Sequence, residues 1–320
     1  MTKNKLVMIG NGMAGLRTIE EILDRDPQRF EITIIGKEDY PNYNRIMLSN
    51  ILQNKMTVEE TIMNSYDWYA EHDIKLINND PVTILDRANK TVITESGQSF
   101  EYDQCIIASG SKAFVLPIPG SDLPSVIGWR TIDDTKRMME IAQTKQKAIV
   151  IGGGLLGLEC ARGLLDQGME VTVIHLAEWL MEMQLDQKAG QMLKNDLEQQ
   201  GMRFELQANT QEILGDKDVE AVRLADGRVL EADLVVMAVG IRPYTEVAKA
   251  AGLEVNRGII VNEFMQTNDP NIFAVGECAE CEGKVYGLVA PLYEQGIVLA
   301  DYLTQKETNG YHGSTTFTSL

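Results

Sequence analysis

Cysteine, histidine and basic side chains are all scarce in this chain. Four cysteines among 320 residues cannot form a disulfide scaffold and fit a reducing cytosol. Three histidines, His72, His175 and His312, are scattered and suggest neither a triad nor a metal centre. Lys and Arg number 29 against 47 Asp and Glu, a formal charge of −18. A surface that negative repels phosphate backbones and anionic lipid, which argues against nucleic acid and membrane surfaces as partners. Also missing is any apolar run near the ~18–20 residues needed to span a bilayer. The apolar stretch from Leu6 is cut by Gly10 and Gly12 with no cleavage-like site after it, so no signal peptide is expected. The 44% hydrophobic content is enough for a full core and speaks against disorder. These features predict an acidic, cytoplasmic α/β protein of about two domains.

What the chain does have is a repeat. Lys5 to Ile9 reads as a short apolar strand, followed at once by Gly10-Asn11-Gly12-Met13-Ala14-Gly15. A helical pattern (Leu16, Ile19, Ile22, Leu23) runs to Asp24, and a second strand spans about Phe30 to Ile35. Lys147 to Ile151 repeats the strand, and Gly152-Gly153-Gly154-Leu155-Leu156-Gly157 repeats the turn. A helix from Leu158 to Leu165 then leads into a strand from Glu170 to Ile174. Each is a βαβ unit with Gly-x-Gly-x-x-Gly between strand and helix, the context that motif requires. Each is followed by a three-strand meander: Val82–Asp86, Thr91–Thr94 and Ser99–Tyr102 in the first, Gln211–Leu214, Val219–Leu224 and Arg228–Glu231 in the second. Each meander ends in a buried-looking strand and a small-residue turn, at Cys105 to Gly110 and at Leu234 to Gly240. Pro117, Pro119, Gly120, Pro124 and Gly128 mark the crossover between the units, and Ile241-Arg242-Pro243 returns the chain. A strand at Ile272–Val275 and a helix after Pro291 complete the first unit.

The expected fold class is α/β, with two Rossmann-like dinucleotide-binding domains. Each is a parallel sheet with a three-strand β-meander, and the second is inserted in the first. The boundaries are 1–115 and 244–308 for the outer domain and 116–243 for the inner one.

In each turn the first glycine permits the tight bend, the second lets a pyrophosphate approach the backbone, and the third lets the helix pack on the strand. The helix N-terminus then offers free N–H groups and partial positive charge to the phosphates. An acid roughly 20 residues on should accept hydrogen bonds from a ribose. Glu38 occupies that place in the first unit; in the second it belongs to His175, which does not grip a diol as a carboxylate does.

These features together resemble the pyridine nucleotide-disulphide oxidoreductase superfamily of flavoprotein reductases, over nearly the whole chain. The matching segments are the two glycine turns, Ala108-Ser109-Gly110, Gly240-Ile241-Arg242-Pro243, and the run from Thr267 through Asn271-Ile272-Phe273-Ala274-Val275 to Gly276-Glu277. The resemblance implies FAD in the outer domain and NAD(P)H in the inner one. NADH is the expected donor, since no arginine follows within Leu176–Trp179 to attract a 2′-phosphate and Glu178 adds repulsion. It assigns Gly10, Asn11, Gly12, Met13, Ala14, Gly15, Glu38, Val82, Ala108, Ser109, Gly110, Gly276, Glu277, Ala290 and Pro291 to FAD. To NAD(P)H it assigns Gly152, Gly153, Gly154, Leu155, Leu156, Gly157, Glu159, His175 and Gly240. Arg45 either meets the FAD pyrophosphate or is a solvated loop arginine.

A more specific resemblance is to the flavin module that opens assimilatory NAD(P)H nitrite reductase large subunits. It is carried by Ile9–Gly15, Tyr43–Ser49, Leu180–Asp186, Gly276–Ala279 and Tyr286–Pro291. Residues 309–320 then resemble the start of a following domain, and the chain lacks the cysteines for the clusters such subunits carry.

Dithiol chemistry is excluded on the helix after the first acid, because Tyr40 to Leu52 contains no cysteine. The single cysteine of the oxidase and peroxidase branch is missing there too. Cys278 and Cys281 form Cys-x-x-Cys, either a redox pair, half a zinc site, or structural. No metal site is expected. Glu159 is either a nicotinamide neighbour or a partly buried helix glutamate; Asn50 stands where its lysine partner is found in similar reductases. The expected activity is flavin-based transfer from NAD(P)H to a one-electron acceptor such as an iron–sulphur centre or the rest of a nitrite reductase. The alternatives are an NADH oxidase or peroxidase, and a non-catalytic flavin redox sensor.

Overall fold

Residues 3–315 are described in the computed structural model of the chain. Ser319 and Leu320, at the end of the expected further strand, lie outside them. The chain divides into two compact units, one of residues 3–44, 62–111 and 242–315, the other of residues 45–61 and 112–241.

The first unit is built on the strand Asn4–Ile9, the helix Met13–Arg25 and the strand Phe30–Ile35. Leu6, Val7, Met8 and Ile9 are apolar on both faces and all buried, as a central parallel strand requires. The helix buries Leu16, Ile19 and Ile22, one stripe at helical spacing. Five parallel strands run in the order Ile272–Ala274, Gln104–Ile107, Asn4–Ile9, Phe30–Ile35, Lys75–Ile77, so a late segment supplies one edge. The strands Val82–Asp86, Thr91–Thr94 and Ser99–Glu101 form the antiparallel meander. The helix Val289–Leu303 packs on Met13–Arg25 through Gly296, where a Cβ would come within 2.7 Å of Thr18 Oγ1. Arg25 Nε closes that pair of helices on Asp301 Oδ1 at 2.6 Å.

The second unit repeats the arrangement. Its parallel sheet runs Arg203–Glu205, Glu170–Ile174, Lys147–Ile151, Leu234–Met237, Val126–Gly128. The meander Thr210–Leu214, Ala221–Leu224, Val229–Glu231 follows. Both meanders carry a register shift near the start of their first strand, between Val82 and Ile84 and between Thr210 and Glu212. The edge strand here comes from upstream of the βαβ unit rather than downstream. Residues 45–61 pack in this unit: Gln167 Nε2 donates to the Leu52 carbonyl at 2.6 Å, and Leu52 covers Gly163. Two helices that periodicity alone passed over, Ile132–Ala142 and Gln187–Gln199, start on strong caps. Thr131 and Asp134 form a capping box, and Asp186 Oδ1 accepts from Ala189 N–H at 2.8 Å.

No helix among the described residues is long and apolar enough to cross a membrane. Phe273 is the largest side chain buried to within 2% of complete, in the strand that late sequence adds to the first sheet. Phe273→Ala should therefore cost about 3–5 kcal/mol, read from the denaturant midpoint. A loss below about 1 kcal/mol would show that this strand is dispensable to the core.

Candidate functional site

At the first turn Gly10 has φ +109°, and a Cβ there would overlap the Ala108 carbonyl of the closing strand. A Cβ on Gly15 would lie 2.8 Å from both Ala108 Cβ and Met8 Sδ. Protein packing thus dictates the first and third glycines. It does not dictate the second. Gly12 has ordinary extended backbone (φ −89°, ψ 175°), and among the described residues nothing lies within 4 Å of a Cβ built on it. Gly12 is also the N-cap of its helix and supplies no side-chain acceptor for the first N–H groups of that helix.

The neighbouring side chains are held firmly. Asn11 Oδ1 accepts from the Tyr69 hydroxyl at 2.8 Å, and Asn42 Nδ2 donates to the Asn11 carbonyl at 3.1 Å. Burial lifts Tyr69 to about 12, so it remains a phenol donor at any physiological pH. Glu38 lies just past Ile35, half-buried, and its Oε2 accepts from the Tyr43 hydroxyl at 2.6 Å. Tyr43 lies in the matching segment Tyr43–Ser49 without a role the sequence assigns, and Tyr69 lies outside every matching segment, since its partner Asn11 is 58 positions away.

Three separated segments converge on this turn. Gly276 (φ +87°) would bring a Cβ within 3.1 Å of Ala14 Cβ, next to Met13 on the first turn of the helix. Glu277 Oε2 accepts from Ser111 Oγ at 2.8 Å, beside Gly110 (φ +66°). Ser109 Oγ donates to the Tyr244 carbonyl at 2.7 Å. Gln295 is fully buried: its Oε1 accepts the Gly276 N–H at 3.0 Å, and its Nε2 has no partner among the described residues. The helix bearing Ala290 and Pro291 starts at Val289, two residues before the proline, and its N-cap Leu288 provides no side-chain bond. Val82 is buried at the head of the meander.

The second turn matches the first. Gly152 (φ +119°) would overlap the Ala238 carbonyl, and a Cβ on Gly157 would overlap the carbonyl of Gly152 itself. Gly154 has extended backbone (φ −83°, ψ −178°) and nothing within 4 Å of a Cβ. Leu155 and Leu156 follow it, exposed, on the first turn of the helix Leu155–Asp166. Gly240, at φ +110°, is exposed past the closing strand. His175 is buried, its Nδ1 accepting the Gly153 N–H at 3.1 Å. Glu159 is half-buried on the helix with no hydrogen bond or ion pair among the described residues, and desolvation raises its pKa. Asn50 Nδ2 donates to Met47 Sδ at 3.2 Å, and Arg45 Nη1 donates to the Arg130 carbonyl at 3.3 Å.

All four cysteines are free and buried. Cys278 Sγ donates to the carbonyls of Val275 and Ile107, whereas Cys281 Sγ lies against those of Asn262 and Tyr311. Burial raises the Cys278 thiol and lifts Cys281 to about 11, so neither is a thiolate at neutral pH. Among the described residues no group of three or more His, Cys, Asp or Glu could hold a metal ion.

Residues 4–299 match the model of the pyridine nucleotide-disulphide oxidoreductase family. The chain belongs to that family. Membership implies binding of a flavin and of NAD(P)H. The chain is 55% identical over 320 residues to a nitrite reductase [NAD(P)H] of Bacillus subtilis, covering 100% of itself and 40% of that protein. It is 50% identical over 314 residues to the assimilatory nitrate reductase electron transfer subunit of the same organism, covering 98% of itself and 41% of that protein. It therefore spans about two fifths of the length of these curated relatives. Among solved structures, the ferredoxin reductase of the CYP199A2 system from Rhodopseudomonas palustris is similar, with TM-score 0.89 and 29% identity, over 97% of this chain and 78% of that one.

Gly12→Ala should leave the fold's melting temperature unchanged while FAD content falls about tenfold, because only a ligand needs that clearance. Gly10→Ala should instead destabilise the unit itself, by about 1–3 kcal/mol from the backbone conformation alone and more from the carbonyl overlap. Equal behaviour of the two variants in melting and flavin retention would contradict the distinction. Glu159 tests the electrostatics. Its folded pKa is raised, so its charged form costs stability above that pKa and nothing below the ordinary glutamate range. Glu159→Gln should thus stabilise the protein at pH 7, and the gain should vanish as pH falls below about 4.

Proposed function

We propose that this chain is an FAD-dependent NAD(P)H reductase that serves as the electron-entry module of a nitrite- or nitrate-reducing system. The carrying observation is the pair Gly12 and Gly154. Neither backbone strain nor protein packing requires glycine at either place, and both stand at uncapped helix N-termini. A pyrophosphate approaching those N–H groups requires it. Two such turns in one chain fit two dinucleotides. The buried, unpartnered Gln295 Nε2 beside Gly276 fits a further ligand acceptor at the first turn.

In this reading the first unit holds FAD through Gly10–Gly15, Glu38, Ala108–Gly110 and Gly276–Glu277, with Val82 and the Ala290–Pro291 helix start completing it. The second holds NAD(P)H through Gly152–Gly157. When bound, the flavin supplies the chemistry, accepting a hydride from NAD(P)H and releasing electrons singly. The residues of the chain bind, orient and exclude water. The N-terminus of the helix Val289–Leu303 supplies partial positive charge for an anionic group. Protonated, buried thiols leave no dithiol relay, so electrons leave for a one-electron acceptor such as an iron–sulphur centre. The names of the relatives, a nitrite reductase and an electron transfer subunit, and of the ferredoxin reductase support that acceptor class. NADH is the favoured donor: no arginine lies in Leu176–Trp179 to attract a 2′-phosphate, and Glu178 is exposed there. Four reduced thiols fit a cytoplasmic setting.

Purified protein loaded with FAD should reduce ferricyanide or a dye with NADH, and should form no ammonium from nitrite. Steady-state rates with each acceptor check this. Peroxide-dependent turnover would favour the oxidase or peroxidase reading. Failure with every dye, with both nucleotides bound, would favour a redox sensor.

A further inference from the structure

The second unit lacks the strand-end acid that grips the adenosine ribose in the dinucleotide fingerprint, since His175 stands in its place. The structure brings a carboxylate to that place by another route. His175 Nδ1 accepts the Gly153 N–H at 3.1 Å, and a backbone N–H can only donate, so Nδ1 carries no proton. The ring proton of the neutral imidazole is then on Nε2, which lies 3.0 Å from Glu182 Oε2 and donates to it. Gly153 also binds the loop from its other side. Its carbonyl accepts the Met181 N–H at 3.1 Å, and Leu180 Cδ2 fills the space a Cβ would need. Met181, buried and at φ +57°, turns the chain so that the next residue leaves the core. Glu182 therefore stands fixed against the glycine turn, with its side chain still 36% exposed. The first unit shows the same device in direct form, with Glu38 at the strand end held by the Tyr43 hydroxyl at 2.6 Å.

We propose that Glu182, positioned by His175, is the ribose-binding carboxylate of the second unit and the residue that makes it select NADH over NADPH. A carboxylate there accepts from a ribose 2′-hydroxyl and repels a 2′-phosphate. His175 is a positioning residue: it touches the turn and the carboxylate, and its uncharged ring adds no attraction for a phosphate. Two further acids of this segment, exposed Glu178 and Asp186, accept from Gln187 Nε2 and from the Ala189 N–H; Glu178 adds negative charge, but neither bonds His175 as Glu182 does. The proposal rests on the reading of the second unit as the NAD(P)H domain.

The test is calorimetric titration of the FAD-loaded full chain with NAD⁺ and with NADP⁺. Wild type should bind NAD⁺ more tightly. Glu182→Gln should reduce the ratio of the two affinities about tenfold or more, the size expected for one charge-assisted hydrogen bond and one like-charge repulsion. Glu182→Asp should retain most of the preference, and His175→Gln should weaken it in the same direction as Glu182→Gln. Melting temperature and flavin content of Glu182→Gln should match wild type, since the side chain is at the surface. An unchanged ratio in Glu182→Gln, with NAD⁺ still bound, would overturn the role of Glu182 and leave the NAD(P)H domain intact. Binding of neither dinucleotide by wild type would overturn the domain reading, and this proposal with it.

Discussion

The approach of one carbonyl to one glycine organises each unit. In the first, Ala108 donates its N–H to Ile9 at 2.8 Å and then presses its own carbonyl against Gly10, whose N–H reaches the Ile35 carbonyl at 2.8 Å. First strand, second strand and closing strand are tied at one point. The second unit repeats the tie, with Ala238 bonded to Ile151 and Gly152 to Ile174, both at 2.8 Å. Only a residue without Cβ, at positive φ, allows this closeness. Both helices then begin two residues beyond the knot's following residue, at N-caps without a side-chain acceptor. Three other helices carry side-chain caps, from Thr131, Ser65 and Asp186, while those that start after Met47, Thr245 and Leu288 carry none. Gly12 and Gly154 supply none either, forgoing a few tenths of a kcal/mol at each helix.

From that shared geometry the units diverge in how they present negative charge. The first sets Glu38 directly at the end of its second strand and braces it with a phenol. The second buries an imidazole at the same station, where both ring nitrogens must be satisfied. The glycine N–H satisfies one, a carboxylate from a neighbouring loop the other. The Gly153 N–H thus fixes Nδ1 as the acceptor, and the ring orders the loop beside the turn through Nε2. The same hydrogen bonds that make the ring tolerable in the interior are those that place Glu182.

Much of this was legible in the sequence. The strands Phe30–Ile35, Lys147–Ile151 and Glu170–Ile174 are where the apolar runs put them, because central parallel strands are apolar on both faces and have no competing period. The parallel order of the sheets follows from the βαβ repeat and its right-handed crossover. Helices on the outside, such as Ile132–Ala142 and Gln187–Gln199, were harder to see. Their buried stripes are thin, Gly190 being the single buried residue of the latter, and their signal lay in the caps. Side-chain partnerships were not legible at all. Tyr69 meets Asn11 across 58 positions, and Ser111 meets Glu277 across 166. No local period records such pairs. His175 was visible as a departure from the acid, whereas its bond to Glu182 depends on the left-handed turn at Met181, and a methionine does not announce one.

The cysteines show how far spacing alone can mislead about redox chemistry. Cys278 and Cys281 are three residues apart, yet Cys278 lies in a short turn, Gly276–Cys278, and Cys281 ends the strand Ala279–Cys281. Their sulfurs consequently meet different carbonyls and different surroundings. A reactive thiol needs partial exposure and a positive neighbour to lower its pKa. Here burial acts on both, and Glu282 and Glu263 add negative charge at Cys281, so every named influence there favours the neutral thiol. The family is named for disulphide chemistry, but this member carries no thiol suited to it among its four. The two units share instead glycine clearance, helix N-termini without a side-chain cap and a braced carboxylate. On the proposed reading these features hold the two nucleotides, and the flavin rather than a side-chain nucleophile of this chain passes the electrons on.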